Sequence, residues 1–136
     1  MTRGRAGWAA RRARPATARR RGRGRATSAA GWWEADWGNV GRLWVRVSHG
    51  GKGWTKAFRA GVGVVYWDPQ QPWLAVDGRG GVTVVYGSGA KVWTRYRTPA
   101  GRWQPRALLH AGPWFGGVTS VPSIWVNPAG AAVALW

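Results

Sequence analysis

The chain contains no cysteine, one methionine, four acidic residues and no long apolar run. Without cysteine, disulfide frameworks, thiol catalysis and cysteine-based metal sites are excluded, and redox chemistry gives no clue to the compartment. The longest apolar stretches, such as 62–67 and 131–136, are far too short to span a bilayer. A basic start with no apolar segment behind it does not read as a secretory signal. Scarcity of acid is the strongest bias: 21 Lys and Arg against 4 Asp and Glu give a net charge of +17 over 136 residues.

That charge is uneven. Residues 1–27 hold ten arginines and no acid, so this segment carries +10 and the remainder +7. Like charges oppose collapse, and alanine buries little area per residue. Pro15 and four glycines interrupt any helix that Ala and Arg would favour. A disordered basic tail is therefore expected over 1–29. Within it, Arg19, Arg20, Arg21, Arg23 and Arg25 alternate with flexible glycine, a composition that binds phosphate backbones without sequence preference. The plainer alternative is that GC-rich coding supplies arginine and glycine with no selected role.

From residue 30 onward the chain repeats itself. Pro72-Trp-Leu-Ala-Val-Asp-Gly-Arg-Gly-Gly-Val-Thr-Val-Val-Tyr86 aligns without gaps on Pro122-Ser-Ile-Trp-Val-Asn-Pro-Ala-Gly-Ala-Ala-Val-Ala-Leu-Trp136, at an offset of 50. Leu43-Trp-Val-Arg46 matches Val92-Trp-Thr-Arg95, and Trp54 matches Trp103, both at 49. Each element reads as a strand. Leu74–Val76 is apolar, Val82–Tyr86 is β-branched and aromatic, and Val92–Arg97 alternates Val/Thr/Tyr with Trp/Arg/Arg at period two. Asp77-Gly-Arg-Gly80 is turn chemistry, and Arg106–His110 reads as a weaker fourth strand. Residues 72–112 should therefore form one antiparallel sheet in sequential order.

These residues resemble a known architecture. Pro-x-Leu/Ile-x-Val-Asp/Asn-x-x-Gly-x-x-Val-x-x-aromatic, followed by a Trp-bearing strand and a Gly-x-Trp loop, is similar to kelch-like and sialidase-like β-propeller repeats. The loops Ser48–Trp54 and Arg97–Trp103 keep glycine and tryptophan but lack the aspartate of the sialidase box. The resemblance implies an all-β, partial β-propeller-like array of four-stranded antiparallel sheets behind the disordered tail. Its β-repeat region is 30–136, with a partial blade at 31–61, a full blade at 72–112 and a partial blade at 122–136.

No catalytic constellation stands out. His49 and His110 lie far apart with no carboxylate nearby, which suggests exposed structural roles. Asp77 and Asn127 share a repeat position that a turn-capping side chain explains. Glu34 and Asp36 would share a strand face opposite Trp33, Ala35 and Trp37, as a polar exterior rather than an acid pair. Thirteen tryptophans are the unusual feature. Trp44, Trp54, Trp93 and Trp103 recur at the repeat period, as core or inter-sheet positions would. Trp67, Trp73 and Trp114 have no such partner and are the candidates for exposed aromatic contacts.

The sequence thus predicts a non-enzymatic binding or structural module, a fragment of a larger β-propeller, with no cofactor and no metal. Its expected partners are further blades, another copy, or nucleic acid and other polyanions through the tail. The alternatives are a nucleic-acid-associated protein, a remnant of a propeller glycosidase, or a truncated frame without selected function.

Overall fold

The computed structural model describes residues 16–20, 26–35, 40–64, 72–112 and 123–135, and all that follows concerns these. Ten strands form three antiparallel sheets. The first sheet takes β1 (Ala16–Arg20), β2 (Thr27–Ala35), β3 (Val40–His49) and β4 (Phe58–Val64) in that order. The second takes β5 (Trp73–Val76), β6 (Val82–Ser88), β7 (Lys91–Arg97) and β8 (Ala107–Ala111), also in chain order. A third pairs β9 (Ser123–Val126) with β10 (Ala132–Leu135).

Period-two patterning decides how the sheets stack. One face of the first sheet supplies Ala29, Trp33, Leu43, Val45 and Val47, which pack against Leu74, Val76, Val82, Val84 and Tyr86 of the second. The opposite face of the second sheet offers Val85 and Val92 to Ile124 of the third. The second sheet is therefore the middle layer, apolar on both sides. Each valine so buried contributes roughly 1.5–3 kcal/mol. Close approach is possible at Gly61, whose added Cβ would lie 2.5 Å from Cζ of Tyr86. Trp33 meets the same Tyr86 ring edge-on, with centroids 5.9 Å apart.

Turns follow the expected chemistry. Asp77 accepts from the backbone N–H groups of Arg79 and Gly81 through Oδ1, both at 2.8 Å. Asn127 Oδ1 accepts from Ala131 N at 2.9 Å in the matching turn. Gly80 and Gly130 close these turns with φ of 89° and 94°, a region that side-chain-bearing residues avoid. The sequential sheet expected over 72–112 is present, in register Val82↔Arg97 through Ser88↔Lys91 for its central hairpin.

Two expectations are corrected. The partial β-propeller-like array is not formed: the sheets have four, four and two strands, and each is open, with free edges and no closure. Turn residues and alternation specify hairpins and meanders locally, whereas closing a ring depends on pairing between distant elements that no local pattern encodes. The disordered tail does not extend through 1–29 either. Ala16–Arg20 pairs antiparallel with β2 from Ala16↔Gly31 to Arg20↔Thr27, and β2 itself starts at Thr27. An unpaired β2 edge offers backbone groups that demand partners, and the run Ala16-Thr17-Ala18 following Pro15 meets them despite the flanking charge. Residues 1–15 and 21–25 lie outside the described residues.

Candidate nucleic-acid interface

The outer face of the first sheet gathers the chain's commonest charge and its commonest ring. Cross-strand partners share a face, so Trp32 on β2, Trp44 on β3 and Arg59 on β4 form one row. Arg42 and Arg46 flank Trp44 two residues away on the same side of β3. Arg42, Arg46 and Arg59 are exposed, while Trp32 and Trp44 are half-buried between them. Among the described residues Glu34 is the acid on this face, and Trp32 Nε1 donates to its Oε1 at 3.5 Å. Trp44 Nε1 is buried without a hydrogen-bond partner. Alongside, β1 places Arg19 opposite Ser28 and Arg20 opposite Thr27 in backbone register.

The corresponding face of the second sheet is covered by the first, and there the Trp/Arg pairs serve packing. Phe58 stacks on Trp103 with ring centroids 4.7 Å apart and planes 7° from parallel. The Arg95 guanidinium carbon sits 4.9 Å from the Phe58 centroid, and Nη1 donates to Ala60 O at 3.2 Å. Arg106 covers Trp93 at 4.2 Å. These contacts pin β4 to the second sheet and account for Trp93 and Trp103 as inter-sheet residues.

Trp54, by contrast, is 47% exposed. Around it the backbone frame repeats that of Trp103. Arg46 Nε donates to Thr55 O at 2.7 Å, as Arg95 Nε does to Gln104 O at 2.8 Å. Thr55 N donates to Val47 O and Gln104 N to Tyr96 O, each at 2.8 Å. Isolated bridges Ser48↔Trp54 and Arg97↔Trp103 complete the match.

Where the sheets meet at the Asp77 turn, a polar chain links them. Arg97 is only 8% exposed, and its Nη1 donates to His49 Nε2 at 3.1 Å. Because a guanidinium only donates, Nε2 must hold a lone pair, the ring proton lies on Nδ1, and it is given to Thr27 Oγ1 at 3.0 Å. Burial, then the Arg97 charge, holds the imidazole below its ordinary pKa, consistent with a neutral ring. Burial also lowers the pKa of Arg97. His49 is thus a half-buried connector rather than the exposed residue expected, and nothing in its sequence neighbourhood reveals Arg97 as its partner. Tyr96 donates to Asp77 Oδ2 at 2.9 Å and completes the occupancy of that carboxylate.

Of the candidate site residues, Arg19 and Arg20 belong to β1, and Arg21, Arg23 and Arg25 lie outside the described residues. Trp67 and Trp114 also lie outside them, whereas Trp73 is 37% exposed on β5. Trp54, Arg42, Arg46 and Arg59 are the exposed face residues that sequence reasoning did not select. Among the described residues no group of three or more His, Cys, Asp or Glu could hold a metal ion. There, too, no helix is long and apolar enough to cross a membrane. No protein-family model, curated protein or solved structure compared with the chain matches it. With three open sheets, this overturns the kelch-like or sialidase-like resemblance, and with it the readings as a fragment of a larger β-propeller or a propeller glycosidase remnant.

Proposed function

We propose that the chain is a non-enzymatic module that binds single-stranded nucleic acid through the outer face of its first sheet and the arginine run joined to that sheet's edge. One observation carries this reading: Arg42, Arg46 and Arg59 are exposed beside the Trp32/Trp44 row on a face that no other sheet covers among the described residues, and β1 brings Arg19 and Arg20 onto the same sheet. Cations track a phosphate backbone, and aromatic rings among them give bases a surface to stack on. Among the described residues little acid opposes this. Asp77 is committed to its turn and to Tyr96, and Glu34 accepts from Trp32.

The test is fluorescence anisotropy of the full chain with a labelled single-stranded oligonucleotide over a salt series. Affinity should fall linearly on logarithmic axes. Replacing Arg19, Arg20, Arg21, Arg23 and Arg25 with glutamine should flatten the slope by up to about 3.5, since each phosphate contact contributes about 0.7. Absence of binding at low salt, or binding indifferent to salt, would refute the proposal.

A further inference from the structure

We infer that Arg46 and Trp54 form a slot for one nucleobase of the bound strand, an inference that rests on the single-strand reading above. The chain contains its own template for such a slot. In the second sheet, the flat ring of Phe58 stacks on the Trp103 indole at 4.7 Å and meets the Arg95 guanidinium at 4.9 Å. Arg95 uses Nε to fix itself to Gln104 O and Nη1 to reach a second acceptor, Ala60 O.

The first sheet builds the same frame, and among the described residues no ring stacks on its tryptophan. Arg46 Nε is fixed to Thr55 O, Thr55 N to Val47 O, and Ser48 bridges Trp54. The side chain of Arg46 is exposed, as is that of Trp54. In the template the ring arrives from a neighbouring sheet, and the first sheet has no further sheet on its outer face among the described residues. An occupant of that frame supplies two things: a planar ring and an acceptor for the Arg46 Nη groups.

Charge selects which occupant. Lys52 and Lys56 stand exposed on either side of Trp54 in the chain, and Arg42 and Arg59 are exposed on the adjoining face. No acid lies between residues 37 and 67. A protein aromatic gains a cation–π contact there, as Phe58 does from Arg95, whereas a base adds its own phosphate and carries ring-edge carbonyls for Arg46. Base–aromatic stacking also tolerates any base, so the slot adds affinity without sequence preference.

Two ligands of equal length separate the slot from general attraction: oligodeoxythymidylate and its abasic deoxyribose-phosphate counterpart. The full chain should bind the thymidylate strand about 5- to 150-fold more tightly, the range expected for one stacked base. Trp54→Ala should remove most of that preference and leave abasic binding unchanged. Arg46→Lys, which keeps the charge but not the planar fork, should reduce the preference in part. Arg59→Gln, on the face but outside the slot, should weaken both ligands by the same factor. Circular dichroism confirms folding of each variant. A Trp54→Ala effect shared by both ligands overturns the slot while the single-strand reading stands; equal wild-type affinity for both ligands overturns the slot and base stacking on the Trp32/Trp44 row alike, leaving only phosphate attraction. No binding to either ligand overturns both. If Trp54→Ala instead dissociates a self-associated chain in sedimentation, with thymidylate binding unchanged, the slot belongs to a second copy and the inference is wrong.

Discussion

Gly61 offers a test of the inter-sheet packing in which the sign of the effect is itself informative. A Cβ at this position would lie 2.5, 2.6 and 2.7 Å from Cζ, Oη and Cε2 of Tyr86, against 3.4 Å for ordinary contact, so about 0.9 Å must be recovered. The ring has little room to yield. Tyr86 is 1% exposed and abuts Trp33, itself 2% exposed, at an interplanar angle of 73°. Overpacking of this kind costs about 1–3 kcal/mol. Were Gly61 merely an unobstructed strand residue, Gly61→Ala would stabilise the chain by roughly 0.5–1 kcal/mol through lost backbone freedom. Thermal melting followed by circular dichroism should show a drop of about 4–8 °C per kcal/mol. In a Tyr86→Leu background the same substitution should cost less than half as much, because the ring atoms that clash are gone; the cycle then gives a coupling of about 0.5–3 kcal/mol. An unchanged or raised melting temperature for Gly61→Ala, or strict additivity in the cycle, would show that the two sheets do not approach as described.

Two further predictions concern acid. His49 is held below its ordinary value of 6.5 by burial and then by Arg97. The unfolded chain therefore binds the proton first, and stability should decline as pH falls from about 6.5 toward the folded pKa; a His49→Gln variant should lack that step in a melting-temperature profile. For Asp77, burial pushes the carboxyl up, but hydrogen bonds from Gly81, Tyr96, Arg79 and Gly80 outweigh it and leave the pKa below 3.8. Its contribution is thus fully present above that value and is lost as pH falls through the lower, folded one. Asp77→Asn, which copies the residue at 127, should remove this second acid step at modest cost, whereas Asp77→Ala should cost about 1–3 kcal/mol by stranding buried N–H groups. Chemical denaturation at neutral pH distinguishes the two.

What the sequence disclosed divides along the range of the interactions involved. The Asp77 and Asn127 turns, the hairpin of β6 and β7 and the chain-order pairing of β5 through β8 depend on residues close in sequence, and their patterning was legible. The alternation of Val92, Thr94 and Tyr96 against Trp93, Arg95 and Arg97 correctly separated two faces. The partial β-propeller-like array was misjudged because the arrangement of whole sheets is set between distant elements. The pairing of Ala16–Arg20 with β2 was missed because charge counting weighs side chains and ignores the backbone groups of an exposed strand edge. His49 was misplaced for a similar reason: its partner, Arg97, stands 48 residues away on another sheet.

The paired tryptophans show how one sequence signal can carry two outcomes. Trp and Arg recur at an offset of 49, and the Arg46–Thr55 and Arg95–Gln104 bonds match within 0.1 Å. From that recurrence, burial was inferred equally for Trp54 and Trp103. Yet a side chain's burial is decided by what lies beyond its own sheet: Trp103 receives Phe58 from β4, and Trp54 receives no ring from the described residues. Similarity between the two segments fixes the frame, and the difference between their neighbours fixes the role. A frame that closes over a ring in one sheet and, among the described residues, over none in the other is a packing device in the first and a candidate binding device in the second. The distinction lies wholly in tertiary position, which is why composition located the chemistry but not the site.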